Sequence, residues 1–296
     1  MDIIIGLDKI KIRHYYTGSP HGKDEYGQLH GWIECSLNGD FGVKGSLTKV
    51  HAEGSLSRLH QRLPDGGYVD AMYGQAGKKQ NAKQGVWLEF NPSKLSGADL
   101  AALKGHMSIL LEDGFLTMLK SGWMGYMEID IDIRGVSFDD YMYLDSSLRA
   151  ANDAYEPVGT MYIGSKKSNR RFRVYDKSRE QKYEGNYATE TLRIEAILQG
   201  AKGFPLVEIN AQPSPFGTFF VVDRVALTKS INPHVNEFKN RLIALGCSPQ
   251  VAYLSFPRKQ RKKLQKALYE LQPNWWKPEQ IWKRFPESLD WMTELL

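Results

Sequence analysis

A chain of 296 residues is long enough to bury a large core, either as one elaborate domain or as two smaller ones. Hydrophobic residues make up 42% of the chain and charged residues 25%, which excludes the disordered and fibrous classes of protein. The formal net charge of +5 at pH 7 is mildly basic, and no stretch approaches the roughly 18 apolar residues that a membrane span requires.

The N-terminal residues and the two cysteines give further expectations about the class of protein. Only a short apolar run precedes the first charged residues, so the sequence predicts no secretory signal and a cytoplasmic location in a bacterial host. Cys35 and Cys247 lie far apart without a CxxC partner or a histidine at metal-ligand spacing. We therefore expect two structural thiols, with neither a disulfide framework nor a zinc knuckle.

The first part of the chain, to about residue 95, predicts short β-strands joined as hairpins. Apolar and polar residues alternate in the segments IIIGLDKIKI, GQLHGWIECSL, GVKGSLTKVHAEGSL and GVWLEF, and turn signals such as Asn38-Gly39 and Asp65-Gly66-Gly67 separate the runs. A helix follows, for which Ser96 is a plausible N-cap and Gly114 the end.

Strands and helices mix in the middle of the chain. The segment MEIDIDI alternates strictly and predicts a strand, and the run from Ser137 through residue 153 predicts a second helix. Next come a strand TMYIGS, a basic turn, the segment RFRVYDKSREQK as a strand or helix start, and a strand TETLRIEAIL. From about residue 216 the pattern becomes helical, and Pro257, Pro273 and Pro278 divide it into short helices.

These elements together predict an α+β fold with a mixed, mainly antiparallel sheet and flanking helices. We expect a sheet-based domain over residues 1–215 and a small C-terminal helical region over residues 216–296. Neither an internal repeat nor a low-complexity linker interrupts the chain.

Three carboxylates share one face of the MEIDIDI strand: Glu128, Asp130 and Asp132. Like charges about 7 Å apart along a pleated face repel one another unless a cation lies among them. A hard divalent cation, Mg²⁺ or Mn²⁺, would neutralise these acids and act as a Lewis acid on a phosphodiester. The alternative is an acidic strand face exposed to solvent.

The alternation in the TETLRIEAIL strand places Arg193 and Glu195 on one face. If this strand pairs beside the MEIDIDI strand, Glu195 is a further metal ligand and Arg193 is positioned to hold a phosphate. A cross-strand salt bridge between Arg193 and one of the acids is an equal alternative.

A tyrosine lies among cations between these two strands. Arg173 precedes Tyr175 by two residues, and Lys177 follows it by two. A phenol with an ordinary pKa of roughly 10 is a poor nucleophile, so attack on a phosphodiester needs neighbours that stabilise negative charge. Tyr175 is the candidate nucleophile, and Tyr162 is the reserve.

Two basic clusters predict a polyanionic partner, for which a solvated surface is the alternative. We expect the following residues to contact DNA: Ser165, Lys166, Lys167, Arg170, Arg171 and Arg193 in the middle of the chain, and Arg258, Lys259, Arg261, Lys262 and Lys263 near its end. Three tryptophans near the second cluster, Trp275, Trp276 and Trp282, either stack on unpaired bases or close a small helical core, and we favour the core.

The order of four motifs resembles the replication initiation factor family of rolling-circle plasmids and filamentous phages. These motifs are VWLEFNPSKL, MEIDIDIRG, GTMYIGSKKSNRRFRVYDKSREQ and LRIEAIL, and the resemblance covers about residues 85 to 200. It implies a nicking domain related to the HUH endonucleases, a divalent metal, and a tyrosine that becomes linked to a 5′ phosphate.

Carried over by position, the resemblance assigns Tyr175 as the nucleophile, Lys177 as its neighbouring cation and Glu195 as a metal ligand. One or two of the three strand acids supply the other ligands. The chain departs from the family at Glu128, where a basic residue is usual, and it has no His-hydrophobic-His triplet. A carboxylate-rich site, with or without one histidine, would therefore replace the HUH ligands.

The sequence thus predicts an initiator that recognises a double-stranded origin, cleaves and rejoins one strand, and presents a 3′ end to a host helicase and polymerase. The phage source is favoured over the plasmid source, and the oligomeric state, monomer or dimer, is left open. A site-specific DNA-binding regulator without catalysis is one alternative. A metal-dependent nuclease that uses water is the other.

Overall fold

The computed structural model describes residues 1–15, 45–49, 57–75, 84–110, 113–148, 154–156, 159–183, 189–246 and 248–296. The predicted strand over residues 27–37, the turn at Asn38-Gly39 and both cysteines, Cys35 and Cys247, lie outside the described residues.

The strands are β1 (Ile3–Tyr15), β2 (Gly45–Lys49), β3 (Ser57–Arg62), β4 (Tyr68–Gln75), β5 (Gln84–Phe90), β6 (Trp123–Arg134), β7 (Tyr141–Asp145), β8 (Ala154–Glu156), β9 (Thr160–Ile163), β10 (Arg170–Asp176), β11 (Thr191–Pro205) and β12 (Phe219–Asp223). The α-helices are α1 (Gly97–Leu110), α2 (Phe115–Ser121), α3 (Lys177–Tyr183), α4 (Arg224–Lys229), α5 (Pro233–Leu245), α6 (Pro249–Leu254), α7 (Arg258–Tyr269), α8 (Pro278–Trp282) and α9 (Trp291–Leu295). Short 3-10 helices span Pro92–Lys94, Phe138–Asp140, Leu206–Ala211 and Phe285–Leu289.

The chain divides into two compact units, each built from segments that are distant in sequence. The motif unit comprises Met1–Gly6, Ile129–Leu198 and Pro213–Arg284, and the N-terminal unit comprises Leu7–Glu128, Gln199–Gln212 and Phe285–Leu296. These boundaries differ from the predicted division at residue 215, because the helices up to Arg284 group with the central strands.

Antiparallel hairpins form the N-terminal unit, as the sequence predicts, although β3 and β4 lie outside the predicted strand segments and only the turn between them was singled out. The strand order is β2-β3-β4-β5-β1, and Phe90 of β5 pairs with Ile10 of β1 on one side and Val69 of β4 on the other. All three side chains are buried. Trp291 of α9 packs edge-on against Phe90, with ring centroids 5.4 Å apart, so the end of the chain closes this core.

Helix α1 begins at the predicted position because Ser96 and Asp99 form a reciprocal cap. The Asp99 backbone N–H donates to Ser96 Oγ at 3.1 Å, and the Ser96 N–H donates to Asp99 Oδ2 at 3.3 Å. The buried Asp99 carboxylate also accepts hydrogen bonds from the backbone N–H groups of Asp65 and Gly67. One side chain therefore fixes both the helix start and the preceding hairpin turn.

The strands of the motif unit follow the order β1-β6-β11-β10-β9-β8. The antiparallel pairing of β10 places Arg173 opposite Glu195 of β11 and opposite Tyr162 of β9. The apolar face of this sheet is fully buried at Ile131 and Phe172. The MEIDIDI and LRIEAIL strands, whose pairing the sequence analysis left as a condition, are neighbours in the sheet. The YDK segment ends β10 and begins α3.

The prediction of a helix from Ser137 through residue 153 is wrong. Within the described part of that run, a 3-10 turn at Phe138–Asp140 leads into β7, which pairs with β12. Met142 and Leu144 join the helical core, while the Tyr143 ring lies 5.4 Å from Phe138. Both sides of β7 are buried, so its sequence lacks the polar alternation that would have indicated a strand.

The region after residue 216 is helical as predicted, except that strand β12 precedes the helices. Helices α4 to α7 enclose a core of buried residues that includes Val235, Phe238, Leu264 and Leu268. The fold is therefore α+β, with a mainly antiparallel sheet, flanking helices and a C-terminal helical region. No helix among the described residues is long and apolar enough to cross a membrane.

The tryptophans near the C-terminus pack within the protein. The Trp276 side chain is buried, and its Nε1–H donates to the Phe219 carbonyl at 3.1 Å. Trp275 contacts the Tyr141 ring edge-on, with centroids 5.2 Å apart. These contacts agree with the core role that we favour for Trp275 and Trp276.

Candidate active site

The β-strands of the motif unit gather the predicted site residues on one face of the sheet, which we call the polar face. Alternation along each strand, together with the pairing register, determines its members. They are Asp130 and Asp132 on β6, Arg193 and Glu195 on β11, Arg171, Arg173 and Tyr175 on β10, and Tyr162 on β9.

Tyr175 and Arg173 both bind the Glu195 carboxylate. The Tyr175 hydroxyl donates to Glu195 Oε1 at 2.9 Å, and Arg173 Nε donates to Glu195 Oε2 at 2.5 Å. The Arg173 guanidinium also lies 5.2 Å from the centre of the Tyr175 ring. Tyr175 is 8% exposed and Glu195 is fully buried, whereas the Arg173 side chain is 29% exposed. Of these three groups, Arg173 is the most accessible to a ligand.

Burial raises the pKa values of both Tyr175 and Glu195, whereas the charge of Arg173 opposes the rise in each. Burial raises the pKa of Tyr175 well above its ordinary value, the Glu195 charge adds to the rise, and Arg193 and Arg173 oppose it. Burial also raises the pKa of Glu195, although its hydrogen bond and ion pair with Arg173 act against the rise. A carboxylate with a raised pKa is a stronger proton acceptor than an exposed one.

The second group on the polar face is built around Arg193. Its Nε donates to Asp132 Oδ1 at 2.5 Å, and one terminal nitrogen lies 2.7 Å from Asp132 Oδ2 and 3.0 Å from Asp130 Oδ2. Lys177 Nζ lies 3.4 Å from Asp132 Oδ2. Burial opposes the charge on Arg193, but its hydrogen bond to Asp132 and the charge of Asp130 raise its pKa overall. The salt-bridge alternative for Arg193 is therefore the arrangement found.

The predicted metal ligands do not fit a divalent cation in this arrangement. Asp130, Asp132 and Glu195 are balanced by Arg173, Lys177 and Arg193, each acid within salt-bridge distance of a cationic side chain. Among the residues that the structure describes, no three His, Cys, Asp or Glu side chains group so as to hold a metal ion. A hard cation would have to displace guanidinium groups from these carboxylates before it could bind.

Glu128 belongs to the N-terminal unit and accepts a hydrogen bond from the Tyr126 hydroxyl. Two histidines of that unit also bond within it, His14 to Ser121 and His60 to Asp70. These contacts do not place Glu128, His14 or His60 with the acids of the polar face.

Tyr162, the reserve nucleophile, lies on the same polar face. The Arg171 guanidinium is 5.3 Å from its ring centre, and the pairing register places Tyr162 opposite Arg173. Tyr162 is half-buried, so it is more accessible than Tyr175. No hydrogen bond from its hydroxyl to a carboxylate is found within the described ranges. Tyr175 is therefore the better candidate because its hydroxyl has a proton acceptor. Tyr162 is the better candidate in accessibility alone.

Asp176 and Gly6 support the site, although neither was singled out as a site residue in the sequence analysis. Asp176 Oδ1 accepts from the Ser178 backbone N–H at 3.0 Å and so caps the start of α3, which carries Lys177. An Asp two residues before a Ser was the available signal. At Gly6 of β1, an added Cβ would lie 2.7 Å from Asp130 Oδ1, so only glycine leaves room for this carboxylate.

We expect Gly6→Ala to destabilise the protein by about 1–3 kcal/mol, because the added methyl forces the Asp130 carboxylate away from Arg193. Urea unfolding measures this loss. Gly105→Ala is the matched control, since a Cβ at Gly105 meets nothing within 4 Å. Equal stability of both variants would show that Asp130 shifts without cost.

The predicted basic turn joins β9 to β10 and presents two exposed lysines, Lys166 and Lys167. Gly164 takes a left-handed φ of 107° at its start, and the Lys167 backbone N–H donates to Ser165 Oγ at 3.2 Å. Contact of this turn with DNA stays a prediction, but its geometry leaves the lysine side chains accessible.

Arg170 was predicted to contact DNA, yet its guanidinium lies in a structural network. It contacts Asp145 Oδ2 at 2.9 Å, Thr218 Oγ1 at 2.9 Å and the Pro215 carbonyl at 3.0 Å. Asp145 is fully buried, and Gln250 bonds its backbone on both sides. Arg170 therefore neutralises a buried carboxylate.

We expect Arg170→Ala to lower the free energy of unfolding by about 3 kcal/mol, because it leaves the buried Asp145 charge uncompensated. Lys167→Ala is the matched control, and we expect it to leave thermal stability unchanged because Lys167 is exposed. An Arg170→Ala protein of normal stability but with weakened DNA binding would instead support the predicted DNA contact.

The second basic cluster forms most of helix α7. Arg258, Lys259, Lys262 and Lys263 are exposed and Arg261 is half-buried, so four of the five predicted residues present their charge to solvent. Lys266 extends this surface by one turn.

Comparisons with known proteins give a weak likeness to solved structures. No protein-family model matches the chain, and no curated protein matches it. Among solved structures, the chain is similar to the rolling circle replication initiator protein from Geobacillus stearothermophilus, at 11% identity and a TM-score of 0.40 over 92% of this chain and 98% of that one. At this TM-score the likeness carries no argument about the activity of the chain.

Proposed function

We propose that the chain is a rolling-circle replication initiator that nicks and rejoins one DNA strand through a phosphotyrosine intermediate at Tyr175. The observation that supports this proposal most is the hydrogen bond from the Tyr175 hydroxyl to the buried Glu195 carboxylate, next to Arg173. A phenol needs a proton acceptor and nearby positive charge to attack a phosphodiester, and the polar face supplies both.

The reaction is a transesterification in which the number of phosphoester bonds is conserved. Tyr175 Oη attacks the phosphorus atom and its proton passes to Glu195, while the bond from phosphorus to the 3′ oxygen breaks. That oxygen takes a proton from solvent and leaves as a 3′-hydroxyl, and the 5′ phosphate stays on Tyr175. Attack by a 3′-hydroxyl on the phosphotyrosine reverses these steps and rejoins the strand.

In this proposal, a DNA phosphate that binds Arg173 releases the Glu195 carboxylate from its ion pair with that arginine. Its guanidinium is partly exposed and now holds one Glu195 oxygen at 2.5 Å. A scissile phosphate that binds Arg173 competes with Glu195 for the guanidinium, so the carboxylate becomes a better acceptor when substrate arrives. Arg193 contributes positive charge to the same face, with one terminal nitrogen 4.0 Å from Glu195 Oε1.

No step of this proposal uses a metal ion, because the carboxylates that were predicted to bind one are paired with cations. A requirement for Mg²⁺ or Mn²⁺ stays a prediction from the sequence. Nicking that persists at full rate in the presence of a chelator would contradict it.

The partners follow from the reaction. The scissile strand must be unpaired when it meets the polar face, while the exposed lysines of the β9–β10 turn and of α7 contact DNA phosphates. The released 3′-hydroxyl is a primer for a host polymerase, and a helicase would extend the unpaired region. We propose that the protein acts in the bacterial cytoplasm, where these partners are found.

The direct test incubates the purified protein with supercoiled plasmid that carries its gene and flanking sequence, with Mg²⁺, Mn²⁺ or chelator. We expect nicked circles with protein attached to the 5′ end of the cut strand, detected on a denaturing gel after nuclease digestion. Free 5′-phosphates without attached protein would indicate the water-using nuclease.

A DNA-binding regulator without catalysis is the second candidate. The observation that favours it is that the acids of the polar face are already neutralised, and that Tyr175 is 8% exposed. It predicts plasmid binding but no nicking under any metal condition, so the same incubation separates the two functions.

A further inference from the structure

Helices α6 and α7 follow one another across a short turn, which is the connectivity of a helix-turn-helix. Three residues, from Ser255 to Pro257, separate the two helices, and α6 starts at a Ser248 cap whose hydroxyl accepts from the Val251 backbone N–H. Arg241 of α5 fixes the turn, because its guanidinium lies 3.9 Å from the centre of the buried Phe256 ring and donates to the Ser255 carbonyl at 2.7 Å. The placement of α7 against α5 and α6 is therefore held by packing.

Helix α7 has one apolar and one cationic side. Leu264, Ala267 and Leu268 are buried in the core that α5 and α6 share. The opposite side carries exposed residues at helical spacing and no acid over the length of the helix: Arg258, Lys259, Lys262, Lys266 and Tyr269. A cationic helix of 12 residues, anchored by its apolar side, has the dimensions that fit a DNA major groove.

The cations of α7 differ from those of the polar face in their partners. Arg173, Lys177 and Arg193 are each paired with a carboxylate. In the part of the chain that the structure describes, neither an ion pair nor a side-chain hydrogen bond is found for Lys262 or Lys266. These charges are held on a rigid helix and are not neutralised within the described protein, which is the state expected of phosphate-binding residues.

The start of α7 gives a second, independent indication that this helix binds DNA. Its first turn contains Arg258 and Lys259 and no acidic residue, and its N-cap, Pro257, makes no side-chain cap hydrogen bond. Positive charge near a helix N-terminus opposes the helix dipole, and the first N–H groups are left without an internal partner. The negative charge of DNA at this end would offset both effects.

We propose that α7 is a recognition helix that lies in the major groove of duplex DNA, with its N-terminal residues at the base edges and Lys262 and Lys266 at phosphates. This inference rests on the proposed initiator function and deepens it. In this scheme α7 recognises the double-stranded origin, and the polar face cleaves the unpaired strand.

The test begins by selecting, with the full chain, a binding sequence from a duplex library with a randomised centre. Binding of that duplex and of its single strand is then measured for wild type and for Lys262→Glu/Lys266→Glu. Lys277→Glu/Lys283→Glu is the matched control, because it reverses the same amount of charge at exposed positions outside α7.

We expect the α7 variant to bind the selected duplex at least about 10-fold more weakly and with a smaller dependence on salt. Single-strand binding and the control variant should not change. Unchanged duplex binding, an equal loss on duplex and single strand, or the absence of an enriched sequence would overturn the recognition helix. A protein that binds the selected duplex but never nicks DNA would contradict the proposed function and leave this inference standing.

Discussion

Tyr175→Phe is expected to abolish the covalent protein–DNA adduct while leaving DNA binding within about twofold of wild type. Removal of the hydroxyl deletes the attacking oxygen, so no phosphotyrosine bond can form at this position. The ring is retained in its packed position against Arg173, which keeps the fold and the basic surface intact. The measurements are adduct formation on labelled plasmid and binding of the same DNA by mobility shift.

Tyr162→Phe is the matched control for this experiment, because Tyr162 lies on the same face and also contacts an arginine. We expect it to form the adduct at close to the wild-type rate. An adduct that survives in Tyr175→Phe but disappears in Tyr162→Phe would move the nucleophile to Tyr162. It would also show that access outweighs the hydrogen bond to Glu195 in selecting the tyrosine.

Glu195→Gln is expected to slow adduct formation by about 10²- to 10⁴-fold, the usual effect of losing a general base. The amide keeps the size of the side chain but cannot take the Tyr175 proton. DNA binding should persist, because Glu195 is fully buried and itself contacts no solvent. Glu180→Gln, a neutralised acid at an exposed position on α3, is the matched control and should nick normally.

The pH profile distinguishes a proton acceptor from a packing residue. Glu195 acts as an acceptor only when it is ionised, and burial raises its pKa above the ordinary value of 4.5. The nicking rate of wild type should therefore fall with decreasing pH at a higher pH than an exposed glutamate would cause, and it should recover as pH rises. Glu195→Gln should lose this dependence. A profile that is identical in both proteins would assign Glu195 a structural role.

The raised pKa of Glu195 also affects the stability of the fold, and its pH dependence is opposite to that of the nicking rate. A buried carboxyl whose pKa is raised holds its proton more tightly in the folded state than in the unfolded chain. Its ionisation therefore costs folding free energy as pH rises through the raised pKa, and the cost is absent below the unfolded pKa. Ionised Glu195 thus acts against stability at the pH where it supports catalysis, as is common for active-site groups.

Much of the fold could be predicted because its signals are local. The hairpins before residue 75, the cap of α1 at Ser96 and the alternation in MEIDIDI each depend on neighbours within a few residues. Strand β7 was missed because YMYL is buried on both sides, so its state depends on pairing with β12 about 80 residues later in the chain.

In the candidate site, too, some features could be predicted from the sequence and others could not. Alternation along a strand was enough to predict that Arg193 and Glu195 share one face, and the same alternation places Arg173 with Tyr175 once their segment forms a strand. The sequence also determined that α7 would be basic on one side. These properties follow from the two-residue period of strands and the 3.6-residue period of helices.

The pairing of opposite charges could not be predicted, because it depends on how the strands are arranged in space. The register between β10 and β11 brings Tyr175 to Glu195, and the neighbouring β6 brings Asp132 to Arg193. Three acids that repel within their own strand or face are thereby neutralised by cations from other strands and from α3. An interaction between charges depends on their distance in space, and sequence spacing fixes that distance only within one element.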